Sequence, residues 1–190
     1  YSANGYEKDV SDGFKGLKEK PNLRFVQEWH MNHRFHEAVA ERITESMIPF
    51  KENGQKTAVI FSAHSLPLKV MNNNDPYVNQ INETIKGVLS VTGELDWKLG
   101  YQSKGLAPGE WLEPAVDSII ESLPGEGYKN VLIVPVVFVS DHVETLYDID
   151  VVYRCQAKSL GLNFQRTKSL NDSSKFIEAL SEVVMEAISH

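Results

Sequence analysis

Apolar positions recur along this chain in two alternating rhythms. Phe35, Val39, Ile43 and Met47 stand four apart, the spacing of one helix face. Thr57 to Ser62 (TAVIFS) is then a nearly unbroken apolar run ending in small residues, the pattern of a strand buried on both faces. Asp75-Pro76 opens a second helix, with Pro at its first position, striped by Val78, Ile81, Ile85, Val88 and Leu89. Trp97 to Ser103 reads as a strand. Pro114 starts a helix carrying Val116, Ile119, Ile120 and Leu123, stopped by Pro124-Gly125. Val131 to Val139 is the strongest strand signal of the chain. Ser140-Asp141 supplies an N-cap for a helix that runs to about Leu160 and ends at Gly161. Asn163 to Thr167 reads as a last strand and Phe176 to Ile188 as an amphipathic helix. Ahead of all these, Leu23 to Gln27 reads as a short strand.

Strands and helices alternate five times, and the strands are apolar on both faces. That predicts an α/β domain with a parallel sheet flanked by helices. A chain of 190 residues fits one such domain plus a short flanking piece. Residues 1–20 are polar and rich in Gly and Lys. They read as a remnant helix and linker from a missing N-terminal domain, and residues 21–190 as the domain itself. The first residue is Tyr1, so a native start is not expected there.

Composition narrows the chemistry. Net charge is −7, the pI is about 5.4, and no Lys/Arg run is long enough to track a phosphate backbone, so nucleic acid is not an expected partner. The run Val131–Val139 is broken by Pro135 and falls far short of the roughly 20 residues a membrane span needs. Peripheral contact with a membrane surface stays open. Cys155 is the lone cysteine, so no internal disulfide can form. It reads as a buried structural thiol in a reducing compartment. His30, His33 and His36 straddle the start of a helix without paired cysteines or zinc-site spacing, so a metal is not expected there. Asn72-Asn73-Asn74 reads as a surface loop.

In open α/β sheets, ligands bind at the carboxyl ends of the strands. Three predicted strand ends carry reactive residues. TAVIFS runs into Ala63-His64-Ser65-Leu66-Pro67. The strand through Tyr101 runs into Gln102-Ser103-Lys104. VLIVPVVFV runs into Ser140-Asp141-His142-Val143-Glu144. If the strands are parallel, these ends face one cleft. Glu144 and Asp148 are four apart and project from one helix face as a short acidic ladder.

These segments carry a resemblance. FSAHSLP (61–67) followed by DPY (75–77) looks like the ferrochelatase segment bearing the active-site histidine. YQSK (101–104) leading to WLEP (111–114) is similar to the block that family writes WQS…WLGP. VPVVFVSDHVETLYDID (134–150) resembles the segment bearing the active-site glutamate. Order and spacing agree, from about residue 22 to the end.

The resemblance implies a chelatase-like (Rossmann-like) three-layer sandwich. It also implies insertion of Fe²⁺ into protoporphyrin IX or coproporphyrin III in haem biosynthesis. His64 and Glu144 match the catalytic pair, and with Asp148 the metal-handling positions. Tyr77, Ser103, Trp111, Phe138 and His142 match porphyrin-pocket positions. The implied partners are a porphyrin, ferrous iron and the N-terminal domain, which lines the other wall of the cleft. The implied location is the cytoplasm, or the mitochondrion in a eukaryote. Rival readings are a haem- or metal-binding module of the same fold without chemistry, and a cobalt or nickel chelatase relative.

Some positions depart from the family pattern. Val152 replaces a third acidic residue, Glu113 replaces a glycine, and Tyr101 stands where Trp is usual. No cysteine-rich tail follows the last helix, so an iron–sulfur cluster, which needs four thiolates, is not expected.

Overall fold

The computed structural model describes residues 2–16, 18, 22–71, 75–105 and 108–189. The Asn72-Asn73-Asn74 run and part of the expected remnant and linker (1, 17, 19 and 20) lie outside them. Four strands form one sheet: β1 (Thr57–His64), β2 (Trp97–Gln102), β3 (Asn130–Pro135) and β4 (Asn163–Arg166). Their order is β2-β1-β3-β4, and every neighbouring pair is parallel. The helices are α1 (Ser2–Gly13), α2 (His33–Asn53), α3 (Leu68–Met71), α4 (Tyr77–Thr92), α5 (Val116–Ser122), α6 (Val143–Tyr147), α7 (Arg154–Ser159) and α8 (Ser174–Ser189). A π-helical segment, Asp148–Tyr153, joins α6 to α7.

Alternation along the strands sorts side chains into two layers. On one face Val59, Phe61, Ala63, Leu132 and Val134 pack with Phe35, Val39 and Ile43 of α2, Ile81 and Ile85 of α4 and Phe176 of α8. On the other, Ala58, Ile60, Val131 and Ile133 pack with Ile119 and Ile120 of α5, Ile149 of the π segment and Ala157 of α7. The expected three-layer sandwich is therefore present. Ile60, Phe61, Leu132 and Ile133 are wholly buried, and each such side chain is worth about 1.5–3 kcal/mol of burial.

Several expectations change in detail. Leu23–Gln27 has no strand partner among the described residues and runs as irregular backbone, with Leu23, Phe25 and Val26 exposed. The periodicity there extends over too few residues to claim a sheet edge. The apolar run after Asn130 leaves the sheet at Pro135, whose missing N–H ends the ladder; Val136–Val139 turns over the strand end instead. The helix after it starts at Val143, with His142 at the N-cap and no side-chain cap. Asp141 does not cap because its carboxylate is bound elsewhere. Pro76 sits at the N-cap of α4 rather than inside it, and Asp75 Oδ1 accepts the Tyr77 N–H at 2.9 Å. Pro114 precedes α5 by two residues and follows a cis peptide bond. Cys155 is exposed rather than buried. No helix is long and apolar enough to cross a membrane among the described residues.

Candidate active site at the carboxyl end of the sheet

The parallel register brings the predicted strand ends together. His64 pairs with Gln102 across β1 and β2, and Ser62 pairs with Pro135 across β1 and β3. His64 is half-buried at the last position of β1. From the turn after β3, Phe138 sets its ring edge-on to the His64 imidazole, with centroids 6.4 Å apart and planes at 75°. That turn runs into His142 and Glu144, both exposed. The structure thus gathers His64, Phe138 and the start of α6 at one end of the sheet.

Two further cross-links shape this end. Tyr77 donates its hydroxyl to the His64 carbonyl at 3.0 Å. Its ring packs against the α2–α4 core, and burial pushes its phenol well above the usual range, so it stays a neutral donor. Ser103 donates its hydroxyl to Asp148 Oδ2 at 2.7 Å, tying the β2 end to the first residue of the π segment. Ser103 holds φ 56°, a left-handed conformation that a non-glycine residue adopts at a cost of about 1–3 kcal/mol.

Trp111 is 92% buried. It bridges to Pro67, and its neighbours bond in the same ladder: Leu68 N–H to Glu110 O and Leu112 N–H to Leu66 O. Its ring lies where a Cβ on Gly105 would intrude at 2.8 Å, so the approach requires glycine. Ser65, the residue after His64, donates its hydroxyl to Leu112 O and its N–H to Gln102 O. The segments that carry FSAHSLP, YQSK and WLEP are thereby stitched into one rim.

The sequence did not single out Gln102 or Ser62. Both are buried, and the Gln102 amide and the Ser62 hydroxyl have no hydrogen-bond partner within the described residues. Gln102 is the register neighbour of His64. Its only signal was its place in YQSK. Leaving such groups unpaired costs about 1–3 kcal/mol each.

The acidic side chains divide. Glu144 faces solvent from the first turn of α6, where a negative charge suits the helix N-terminus. Asp148 is half-buried and bonded to Ser103. Among the described residues no three His, Cys, Asp or Glu side chains converge as a ligand set, so His64, Glu144 and Asp148 do not form a ready metal cage. The His30/His33/His36 group is not one either. His36 is buried and donates its Nε2–H to His30 O at 2.8 Å, while His30 pairs with Glu83. A cavity of about 840 Å³ lies between Arg24–His33 and the Glu182–Ala187 end of α8, away from His64 and Glu144.

A family model described as ferrochelatase matches residues 1–188. Among curated proteins, the chain is 39% identical over 163 residues to a ferrochelatase of Geotalea daltonii, covering 85% of this chain and 50% of that protein. It is 40% identical over 176 residues to one of Desulfotalea psychrophila, covering 91% and 54%. To the mitochondrial ferrochelatase of Xenopus laevis it is 36% identical over 176 residues, covering 90% and 42%. The chain spans about half the length of the curated relatives it matches. Among solved structures, a putative cobalamin (vitamin B12) biosynthesis protein, CbiX, of Marinobacter aquaeolei aligns with TM-score 0.50 and 14% identity, covering 70% of this chain and 98% of that one. That likeness concerns the fold alone.

Proposed function

The chain belongs to the ferrochelatase family, and we propose that it forms the metal-handling half of an enzyme that inserts Fe²⁺ into a porphyrin during haem biosynthesis. The observation that carries the reading is the imidazole of His64 at the end of the central strand, edge-on to Phe138 beside the turn leading to Glu144. Iron and a tetrapyrrole, protoporphyrin IX or coproporphyrin III, are the substrates. The second, N-terminal half supplies the facing wall of the cleft. The single cysteine offers no thiolate set for an iron–sulfur cluster. Its free, exposed thiol fits the cytoplasm.

The chemistry follows from the groups present. Insertion removes two protons from pyrrole nitrogens and replaces the water shell of the ion. His64 is half-buried with its imidazole at the strand end, and a neutral imidazole accepts a proton, so it suits proton acceptance from a pyrrole N–H. Its backbone is pinned by Tyr77 and by its pairing with Gln102 of β2, which fixes the point from which the ring projects while protons move. Glu144, exposed on the opposite segment, offers carboxylate oxygens to an incoming hydrated cation or carries protons outward. Asp148, one turn on, extends that route. Phe138 and His142 offer flat faces to the macrocycle. Trp111 supports the rim from beneath.

The test is His64→Ala in the full-length protein. Iron insertion, followed by the change from free-base to metalloporphyrin absorbance, should fall by about 10²–10⁴-fold, the usual value of a positioned proton acceptor. Porphyrin binding, followed by fluorescence quenching, should persist. Unchanged insertion would remove the reading and leave a binding module.

A further inference from the structure

The loop between β4 and α8 carries no expected ligand residue, yet it grips the segment that carries Phe138, His142 and Glu144. Asn171 Oδ1 accepts the backbone N–H of Asp141 at 2.9 Å. Asn171 Nδ2 donates to Asp141 Oδ2 at 3.0 Å. The Asn171 N–H donates to Val139 O at 2.8 Å. Three bonds thus run from one residue to both ends of a three-residue stretch, just after Phe138 and just before His142. Asn171 holds φ 45°, the left-handed region, which asparagine tolerates better than other side-chain-bearing residues. A hydrogen bond from Ser169 also reaches Asp141. Together with the Asn171 amide it holds that carboxyl below the usual range.

The first part of this turn is held by the core, where Val136 is buried, Val137 and Val139 pack against it, and the Val136 N–H donates to Ser62 O; past Val139 the chain leaves that packing. The turn's internal bond is Phe138 N–H to Pro135 O at 3.3 Å, and α6 has no side-chain cap. We propose that Asn171 is a positioning residue for the insertion site, latching the β3–α6 turn so that Phe138 keeps its edge on His64 and α6 begins where Glu144 is needed. The role in insertion rests on the function proposed above; the latch itself does not.

The experiment is a reciprocal exchange in the full-length protein: Asn171→Ala, Asp141→Asn, and the double change D141N/N171D. Each single change removes the amide–carboxylate match. The double change restores one carboxylate and one amide with the side-chain bond reversed, and the backbone N–H of position 141 keeps an acceptor. Each single variant should lower kcat/KM for iron insertion by about tenfold, the scale for partners that orient site residues. The exchange should recover it to within about twofold. If Asn171→Ala does not fold, Asn171→Gly keeps the left-handed backbone and removes the same amide.

A shift in Tm with kcat/KM unchanged would overturn the proposal, as would an exchange no better than the singles. If the wild-type protein inserts no iron, the functional reading fails on its own. The latch is then judged by the His64 ring-proton resonance, which the Phe138 ring shifts. That signal should move in the single variants and return in the exchange; a signal that never moves overturns the latch.

Discussion

Ser103 reaches Asp148 across 45 residues of chain, its Oγ donating to the carboxylate at 2.7 Å. One end of β2 is thereby fastened to the start of the π segment. The bond turns the Asp148 carboxylate toward β2, so the expected acidic ladder is anchored at its second rung and free at its first, Glu144.

The cost and gain at Ser103 can be separated. Ser103→Ala loses the bond to a charged, half-buried acceptor and keeps the left-handed strain, so the fold should lose about 1 kcal/mol. Ser103→Gly loses the same bond but relieves the backbone, so it should lose distinctly less. Denaturant titration of both variants checks the order; equal losses would mean the φ of 56° carries no cost.

Tyr77→Phe removes the hydroxyl that supports the His64 carbonyl. It leaves the ring in the α2–α4 core, so the loss should be limited to one hydrogen bond, about 1 kcal/mol. Because the carbonyl belongs to the residue proposed to accept protons, insertion should fall more than porphyrin affinity does. Steady-state kinetics beside a binding titration reads the difference.

Gly87 reverses a general rule. Glycine to alanine inside a helix usually stabilises by about 1 kcal/mol. A Cβ at Gly87 would run into the His36 ring, which is itself buried and bonded to His30 O. Overpacking of that kind costs about 1–3 kcal/mol, so Gly87→Ala should destabilise. A raised or unchanged Tm would show that α2 and α4 can separate at no cost.

His36 also sets a pH dependence. Burial pulls its imidazole below the usual value, with the His30 carbonyl opposing and His33 and His30 adding repulsion. The other charged groups nearby are Glu83 of α4, paired with His30, and Glu37 of α2, beside His33. The folded state binds this proton less readily than the unfolded chain does. Its contribution is therefore fully present above the ordinary histidine range, near pH 6.5, and is lost as pH falls from there toward the depressed value. The slope it adds cannot exceed about 1.4 kcal/mol per pH unit. His36→Gln should flatten the stability profile between neutrality and mild acid; an unchanged profile would place the acid sensitivity elsewhere.

The sheet was legible because its strands are apolar on both faces, as TAVIFS and VLIVP are, and few other structures bury such runs. The placing of the candidate segments was legible because FSAHSLP and YQSK span the ends of β1 and β2 and SDHVE follows the turn after β3. The limits of the elements were less so. Pro135 ends β3 inside a run that hydropathy reads as continuous, and the π segment at Asp148–Tyr153 has the same apolar spacing as an ordinary helix. Leu23–Gln27 has strand-like side chains but, among the described residues, no neighbour to pair with, a fact only tertiary structure supplies. Asp141 looked like a cap because Asp favours caps; Asn171, thirty residues on, competes for the same carboxylate. The Tyr77 and Ser103 cross-links join positions whose partners no local pattern announces.

The place of β1 between β2 and β3 has a kinetic consequence. Ser62 accepts from Val136, and the N–H after His64 goes to Gln102, so this strand end is committed on both flanks. Deuterium from solvent should reach these amides only through openings that approach global unfolding, whereas the uncapped start of α6 should trade its hydrogens early. On that expectation the imidazole would sit on the slowest-breathing part of the molecule and Glu144 on one of the quickest, so adjustment to the proposed flat ligand would fall to the helical side.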